Sequence, residues 1–358
     1  MYVSGVRSLR HFLLCTPIYI WGQLVDYSAL MAQANNLSLR GLGKTAPNPI
    51  VGSLIIDSSG NVIAQDFHNG GLHAEAKVIK EIGSIPRGAT LVTTLEPCNH
   101  FGKTPPCSEL IINSGIKKVV YSVSDQNPVA KGGAVRLKAA GIEVISGVLQ
   151  DQVAYTNRYW IHKIKHQRPY FVWKIGMTLD GKISDKDENS KWITSETSRS
   201  QVSKLRSESD LILIGTGTAL ADNPSLKSIE VGAKQPMRLV VGYRSIPNTY
   251  NLNDGSALTY FLHSHEELEL LNFLAKLDVN QVLVEAGPTL GTFLIKSGLI
   301  DEIHIHLSPS LLGSGKSFIN DLGINTLEDR IFYKIQSAEL VDSDLNIILT
   351  KEISCSQG

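Results

Sequence analysis

Between positions 72 and 107 the chain carries the pieces LHAEA and EPCNHFGKTPPC, which supply His73, Glu75, Cys98 and Cys107. One imidazole and two thiolates neutralise a divalent zinc and leave the fourth tetrahedral position open to water, which is the catalytic type of zinc site. Glu75 follows the ligand His73 by two positions, so it can reach such a water without being a ligand. It can take the water's proton and hand it to a leaving amine. Two plainer readings exist: a closed structural zinc completed by another ligand such as His100, or separate core residues. Neither needs the glutamate, and closed sites use four protein ligands.

These side chains converge only if the surrounding elements bring them together. The segment DYSALMAQANNLSLRGLG has helical spacing and a glycine stop, and NPIVGSLIID with NVIAQDF around SSG reads as a hairpin. The spacing then predicts a glycine-led helix in GGLHAEAKVIKEIG with His73 and Glu75 in its first turn, a buried strand in GATLVTTLEP, and a helix opened by Pro105 and Pro106. Cys98 falls just past the strand and Cys107 at the start of that helix, where thiolate is favoured over thiol. IKKVVYSVSD, AVRLKAAG and IEVISGV continue the alternation of an α/β domain.

At 358 residues the chain suggests two domains. An apolar fraction of 42% and a charged fraction of 19% describe an ordinary globular protein. Thirty-four basic residues balance thirty-four acidic ones, so no net field attracts nucleic acid. Four cysteines, Cys15, Cys98, Cys107 and Cys355, are too few and scattered for a disulfide framework, and a reducing cytoplasm is expected. Residues 1–25 hold Arg7 and Arg10, no acidic residue and an apolar run broken by Pro17. That run is too short for a membrane span and is followed by no small-residue cleavage pattern, so residues 1–25 read as an extension. The divisions expected after it are a domain over 26–148 that holds the zinc-type residues, a linker helix over 149–167 and a second domain over 168–358.

The second half again alternates strands (YFVWKIGM, LILIGTGT, MRLVVGY, ALTYFLHS, QVLVEAG, EIHIHLSP, DLNIILTKE) with helices (TSRSQVSKLRSESD, EELELLNFLAKL, PTLGTFLIKSG). A β-rich α/β sheet follows, but no reaction. VEAGPTLGTFLI is a strand, a glycine turn and a helix start, which can offer backbone N–H groups to phosphate; G-x-G-x-x-G is absent, so a Rossmann site is not indicated.

H-x-E followed by P-C and a second cysteine resembles the zinc-dependent nucleobase deaminases, with eight residues between the cysteines where two are usual. PNPIVG, HNGGLHAEA, EPCNHFGKTPPCSELI, NPVAKGGAVRLKAAGI, GMTLDGKI, SKWIT, GTGTALADNPSL and LVEAGPTLGTFLI occur in the order of the bifunctional riboflavin-biosynthesis deaminase/reductases. That resemblance implies a cytidine-deaminase-like domain and a dihydrofolate-reductase-like domain. It implies Zn²⁺ and NADPH as cofactors, phosphorylated pyrimidines as substrates, and a homo-oligomer that binds neither nucleic acid nor membrane. The first half would deaminate a diaminopyrimidinone bearing a ribosylamino 5-phosphate, and the second would reduce the ribosyl C1 to a ribityl chain.

In the first half the resemblance assigns substrate contacts to Asn48, His68 and Lys103. A turn residue between prolines and a solvated loop charge are the plain alternatives for Asn48 and Lys103. In the second half Trp192, Thr218, Asp222 and Gly287, Pro288, Thr289, Leu290, Gly291 and Thr292 match cofactor positions. Ser190, Arg206, Leu226 and Glu285 match substrate positions. Core packing is the alternative for Trp192 and a helix-surface charge for Arg206. Hydride transfer needs alignment more than acid or base, so no lone catalytic residue is named there.

Two departures stand out. The family's EGG is EAG here, with Ala286 in the turn, and Ile229 occupies the place of an arginine in the phosphate site. If SLKSIE is extended, Lys227 shares a face with residue 229 and can supply the missing charge; Arg244 is the alternative. Other readings are a deaminase with an inactive reductase half, a non-catalytic binding protein on the same scaffold, and a nucleic-acid deaminase. Charge balance opposes the last and Glu75 opposes a non-catalytic role.

Overall fold

A computed structural model describes residues 18–20, 23–102, 105–230 and 234–351. The chain forms two compact units: Met1–Arg40 with Val51–Thr156, and Gly41–Ile50 with Asn157–Gly358. Most of residues 1–25 lies outside the described set, which begins with the antiparallel strands β1 (Ile18–Ile20) and β2 (Gln23–Val25).

In the first unit, β3 (Gly52–Ile56) and β4 (Val62–Phe67) form the hairpin, followed by β5 (Thr90–Leu95), β6 (Lys118–Val123) and β7 (Glu143–Ile145). The sheet order is β4-β3-β5-β6-β7, antiparallel around β3 and parallel from β5 to β7. Every residue of β5 is buried, as a strand covered on both faces requires. Helix α1 (Tyr27–Ser38) is capped by the Asp26 carboxylate, which accepts from the N–H groups of Ser28 and Ala29. It lies so close to β3 that a Cβ on Gly52 would stand 2.0 Å from the Ala34 carbonyl oxygen. Val78 and Ile79 of α2 (Ala74–Ile82), Ile111 of α3 (Cys107–Ser114) and Leu137 of α4 (Gly133–Ala139) pack with Ile55, Leu91 and Val119. Truncating one of these fully buried side chains to alanine costs about 2–5 kcal/mol.

The helical run predicted over 149–167 is two helices, α5 (Gln150–Thr156) and α6 (Arg158–His166). Asn157 separates them because its side chain is used elsewhere: its Nδ2 donates to the Ile50 carbonyl at 2.8 Å and its Oδ1 accepts from the Ile50 N–H at 3.1 Å. Both polar groups of a buried backbone residue are thereby satisfied.

The second unit is built on an eight-stranded sheet comprising β8 (Tyr170–Thr178), β9 (Leu211–Gly215), β10 (Met237–Val241), β11 (Thr259–Leu262), β12 (Gln281–Val284), β13 (Ile300–Ser308), β14 (Tyr333–Val341) and β15 (Asp344–Lys351). Its order is β11-β10-β9-β12-β8-β13-β15-β14; the first six are parallel, β15 is antiparallel to β13, and β14 is antiparallel to β15. One core gathers Phe171, Trp173, Leu213 and Val284 with residues of α9 (Glu267–Leu274) and α10 (Pro288–Lys296). The other gathers Val172, Ile212, Ile214 and Leu283 with Leu205 of α7 (Glu196–Glu208) and Ala219 of α8 (Thr216–Asp222). Strand alternation divides the two sets. Among the described residues no helix is long and apolar enough to cross a membrane.

Candidate active sites

The end of β5 positions the first constellation. Pro97 and Cys98 follow the strand, α2 opens with His73 as its N-cap, and α3 begins at Cys107. His73 Nδ1 lies 3.3 Å from Cys107 Sγ and 3.6 Å from Cys98 Sγ. Zn–N and Zn–S bonds of ordinary length subtend about 3.5 Å in a tetrahedron, so these separations fit one zinc ion. The three ligand atoms lie within 4.8 Å of one another, and they are the one such group of three found among the described residues. The Cys107 N–H points at Cys98 Sγ at 3.4 Å. Hydrogen bonding from Cys107, with His73 assisting against burial, lowers the Cys98 thiol to about 4, so it is ready to act as thiolate. The same pairing, with burial, raises Cys107.

Glu75 is buried beside this cluster, at 4% exposure. Burial raises its carboxyl to about 7, opposed by His73. A carboxyl poised there can both accept and return a proton near neutrality. His68 is buried against His73, with ring centroids 5.5 Å apart, and its Nδ1 meets the Leu72 carbonyl at 3.1 Å. Asn48 lies in the 41–50 segment that clusters with the second unit, where its carbonyl accepts from Thr45 Oγ1 and from Asn280 Nδ2. Lys103 lies outside the described residues.

The second constellation is assembled from distant parts of the chain. Arg206 on α7 donates through Nε and Nη2 to Glu285 at 2.6 and 2.8 Å, a bidentate pair, and through Nη1 to the Lys227 carbonyl at 3.3 Å. Burial alone would raise the Glu285 carboxyl, but Arg206, with help from Lys174, brings it below its usual range. Lys174 is the residue the sequence reading missed. It stands mid-strand in the apolar run YFVWKIGM, and that interruption was its signal. Burial lowers its pKa, against the pull of Glu285.

Leu226 is buried with φ of 52°, and Ser228 is buried while Ile229 is 76% exposed, so this stretch does alternate. Lys227, however, already has a partner: its Nζ lies 2.7 Å from Asp254 Oδ2, and Arg238 reaches the same carboxylate at 3.3 Å. Ser190 Oγ makes a long contact with Asp222 Oδ1, 3.4 Å. Trp192 is 73% exposed, not core, and Arg199 stacks over it at 4.2 Å.

Around the start of α10, a Cβ on Gly287 would meet Thr218 Oγ1 at 3.9 Å, and one on Gly215 would meet Leu290 at 3.7 Å. The first turns of α8 and α10 are therefore neighbours. Pro288 occupies the first helical turn and Gly287 provides no side-chain cap, so backbone N–H groups there are available to an anion; Thr289 is exposed in the same turn. Gly291 has a different reason to be glycine, since a Cβ would stand 2.2 Å from the Trp173 indole. Thr292 Oγ1 is occupied by the Asn320 N–H at 2.9 Å.

Two family models match: the cytidine and deoxycytidylate deaminase zinc-binding region over residues 25–123, and the RibD C-terminal domain over residues 169–345. The chain is 38% identical to the riboflavin biosynthesis protein RibD of Mycobacterium tuberculosis over 334 residues, covering 91% of this chain and 98% of that one. Identity to the RibD of Escherichia coli is 32% over 355 residues, covering 88% and 96%. A Thermotoga maritima structure described as a diaminohydroxyphosphoribosylaminopyrimidine deaminase/5-amino-6-(5-phosphoribosylamino)uracil reductase superposes with a TM-score of 0.85 at 33% identity, covering 91% and 99%.

Proposed function

This chain belongs to the RibD family of bifunctional riboflavin-biosynthesis deaminase/reductases, and from that membership we propose where its two reactions occur and which residues carry them. It has deaminase and reductase activities, in a deaminase-like N-terminal domain and a C-terminal reductase domain. The observation that carries the finer reading is the fit of His73, Cys98 and Cys107 to one zinc with Glu75 buried alongside.

The substrate of the first reaction is 2,5-diamino-6-(5-phosphoribosylamino)pyrimidin-4-one. Bound there, zinc supplies Lewis acidity that makes water a nucleophile at neutral pH. Glu75 removes the water's proton and returns it to the departing ammonia, aided by a pKa near neutrality. His68 packs on His73 and is assigned by family resemblance to the pyrimidine or its ribose; the same resemblance assigns Asn48 to the pyrimidine or its ribose and Lys103 to the phosphate.

In the second reaction NADPH supplies a hydride. The neighbouring starts of α8, with Thr218, and of α10, with Gly287 to Leu290, are assigned to the cofactor's phosphates and ribose together with Asp222 at the end of α8, with Trp192 as an exposed face for it; Gly291 and Thr292 extend that segment. Arg206, Glu285, Ser190 and Leu226 line the substrate side, with Lys227 as a further cation. As the sugar's C1–O bond opens, the ring oxygen needs a proton, and Lys174 is the half-buried cation beside Glu285 that can give one. The cytoplasm is the proposed location. A homo-oligomer is the proposed assembly, with exposed Ile335 and Leu340 of β14 as apolar surface for it.

Purified protein given the diaminopyrimidine phosphate tests this reading. Ammonia should appear without any nicotinamide, and NADPH should then be oxidised in preference to NADH. No ammonia contradicts the deaminase assignment. Ammonia without NADPH oxidation contradicts the reductase assignment.

A further inference from the structure

The strand β13 carries Glu302, His304 and His306 on one face by simple alternation. Two of these bond to each other. Glu302 accepts from Arg158 Nε at 2.8 Å and Tyr170 Oη at 3.0 Å, and its other oxygen meets His304 Nε2 at 2.6 Å. His306 is different. It is 2% exposed, and its Nδ1 is buried with no hydrogen-bond partner among the described residues. A buried polar nitrogen left unpaired is costly, and one beside a reaction site points to a ligand.

Its surroundings narrow that ligand. In register, His304 pairs with Lys174 and His306 with Gly176, on the face that carries Lys174. Gly176 has no side chain to fill the space beside the imidazole; a Cβ there would stand 4.0 Å from Lys174 Nζ and 3.5 Å from Thr194 Cγ2. On the other side His306 pairs with Asn346, whose Nδ2 donates to Gln201 at 3.2 Å and whose Oδ1 is likewise buried without a partner among the described residues. Asp344 nearby is held by the Ser195 N–H and by Ser198 Oγ, at 2.7 and 2.6 Å. Neither neighbour supplies the missing partner. Burial, then the Lys174 charge, brings His306 down to about 4, so the imidazole is neutral at physiological pH and offers one donor and one acceptor. A neutral imidazole suits a hydroxyl; a phosphate would call for a cation.

We propose that His306 is a substrate-binding residue of the reductase site and that its imidazole pairs with a hydroxyl of the substrate's ribose. This rests on the assignment of the Arg206–Glu285–Lys174 cluster to the reductase reaction. The test uses the full chain, the deaminated phosphoribosylamino substrate and its 2′-deoxy and 3′-deoxy analogues, with NADPH oxidation as readout. His306→Phe should raise KM for the full substrate about tenfold, the scale of one hydrogen bond, and leave kcat within about twofold. On the analogue lacking the contacted hydroxyl that penalty should vanish. His306→Asn, which keeps a donor and an acceptor, should restore part of the lost affinity. An equal penalty on all three substrates shows a packing role and overturns the proposal, as does an unchanged KM in both variants. A wild-type chain that releases ammonia but oxidises no NADPH overturns the reductase assignment and this proposal with it.

Discussion

The two sites are built on opposite plans. In the first unit, the groups proposed to do chemistry come from one short segment, His73 to Cys107, and are held at the end of one strand and the starts of two helices. In the second, Lys174, Arg206, Lys227 and Glu285 are brought together from a strand, a helix and two loops spread over more than a hundred residues. A metal site needs few residues of fixed type, because each ligand's atom and charge are prescribed. A site that aligns a sugar with a hydride donor works by many moderate contacts, and its members can change. Ile229 in place of an arginine is tolerable only under the second plan.

The largest effect should come from removing a metal ligand. Cys107→Ser, or stripping zinc with a chelator, should bring ammonia release below detection, while NADPH oxidation with deaminated substrate continues. Parallel loss of both would erase the distinction between the sites.

A second effect concerns what holds each unit together. Burial would raise the Glu302 carboxyl, but Arg158 and His304 hold it at about 2. A depressed folded-state pKa gives stability that is complete above the unfolded value, near 4.5, and is lost as pH falls through about 2. The difference amounts to about 3 kcal/mol at ~1.4 kcal/mol per pH unit. Acid unfolding of Glu302→Gln, followed through the Trp173 environment, should lose much of its pH dependence in that window. An unchanged acid transition would show that the ion cluster does not set it.

The smallest effect belongs to Lys227. Its ammonium is shared with Asp254, so Lys227→Ala should raise the reductase KM by only about threefold, at the weak end for hydrogen bonds. No change at all would remove Lys227 from the site, and a rise of a hundredfold would mean that the Asp254 pair opens for substrate.

The contrast also explains what the sequence could disclose. His73, Glu75 and the cysteines were legible because ligand chemistry fixes both residue type and spacing, and the strand-helix alternation around them follows from periodicity. Lys174 was not, because its interruption of an apolar strand gives no role until the fold places it beside Glu285. β14 escaped for a related reason: it is an edge strand with largely exposed residues, so YKIQSAELV carries no inside-outside pattern. The break at Asn157 depends on Ile50, far away in sequence. Alternation put Lys227 on the face of Ile229, but nothing local announced Asp254 as a partner. Gly291, which resembles a cofactor position, is glycine for a reason visible only in packing against Trp173.

The separateness of the two chemistries is tested most directly by Glu75→Gln, assayed for both reactions in one preparation with its zinc measured. Zinc should stay bound, ammonia release should fall by at least ~100-fold, the usual scale of general acid-base catalysis, and NADPH oxidation with deaminated substrate should run at near the wild-type rate. Near-normal ammonia release, or loss of reduction in the correctly folded variant, would contradict it.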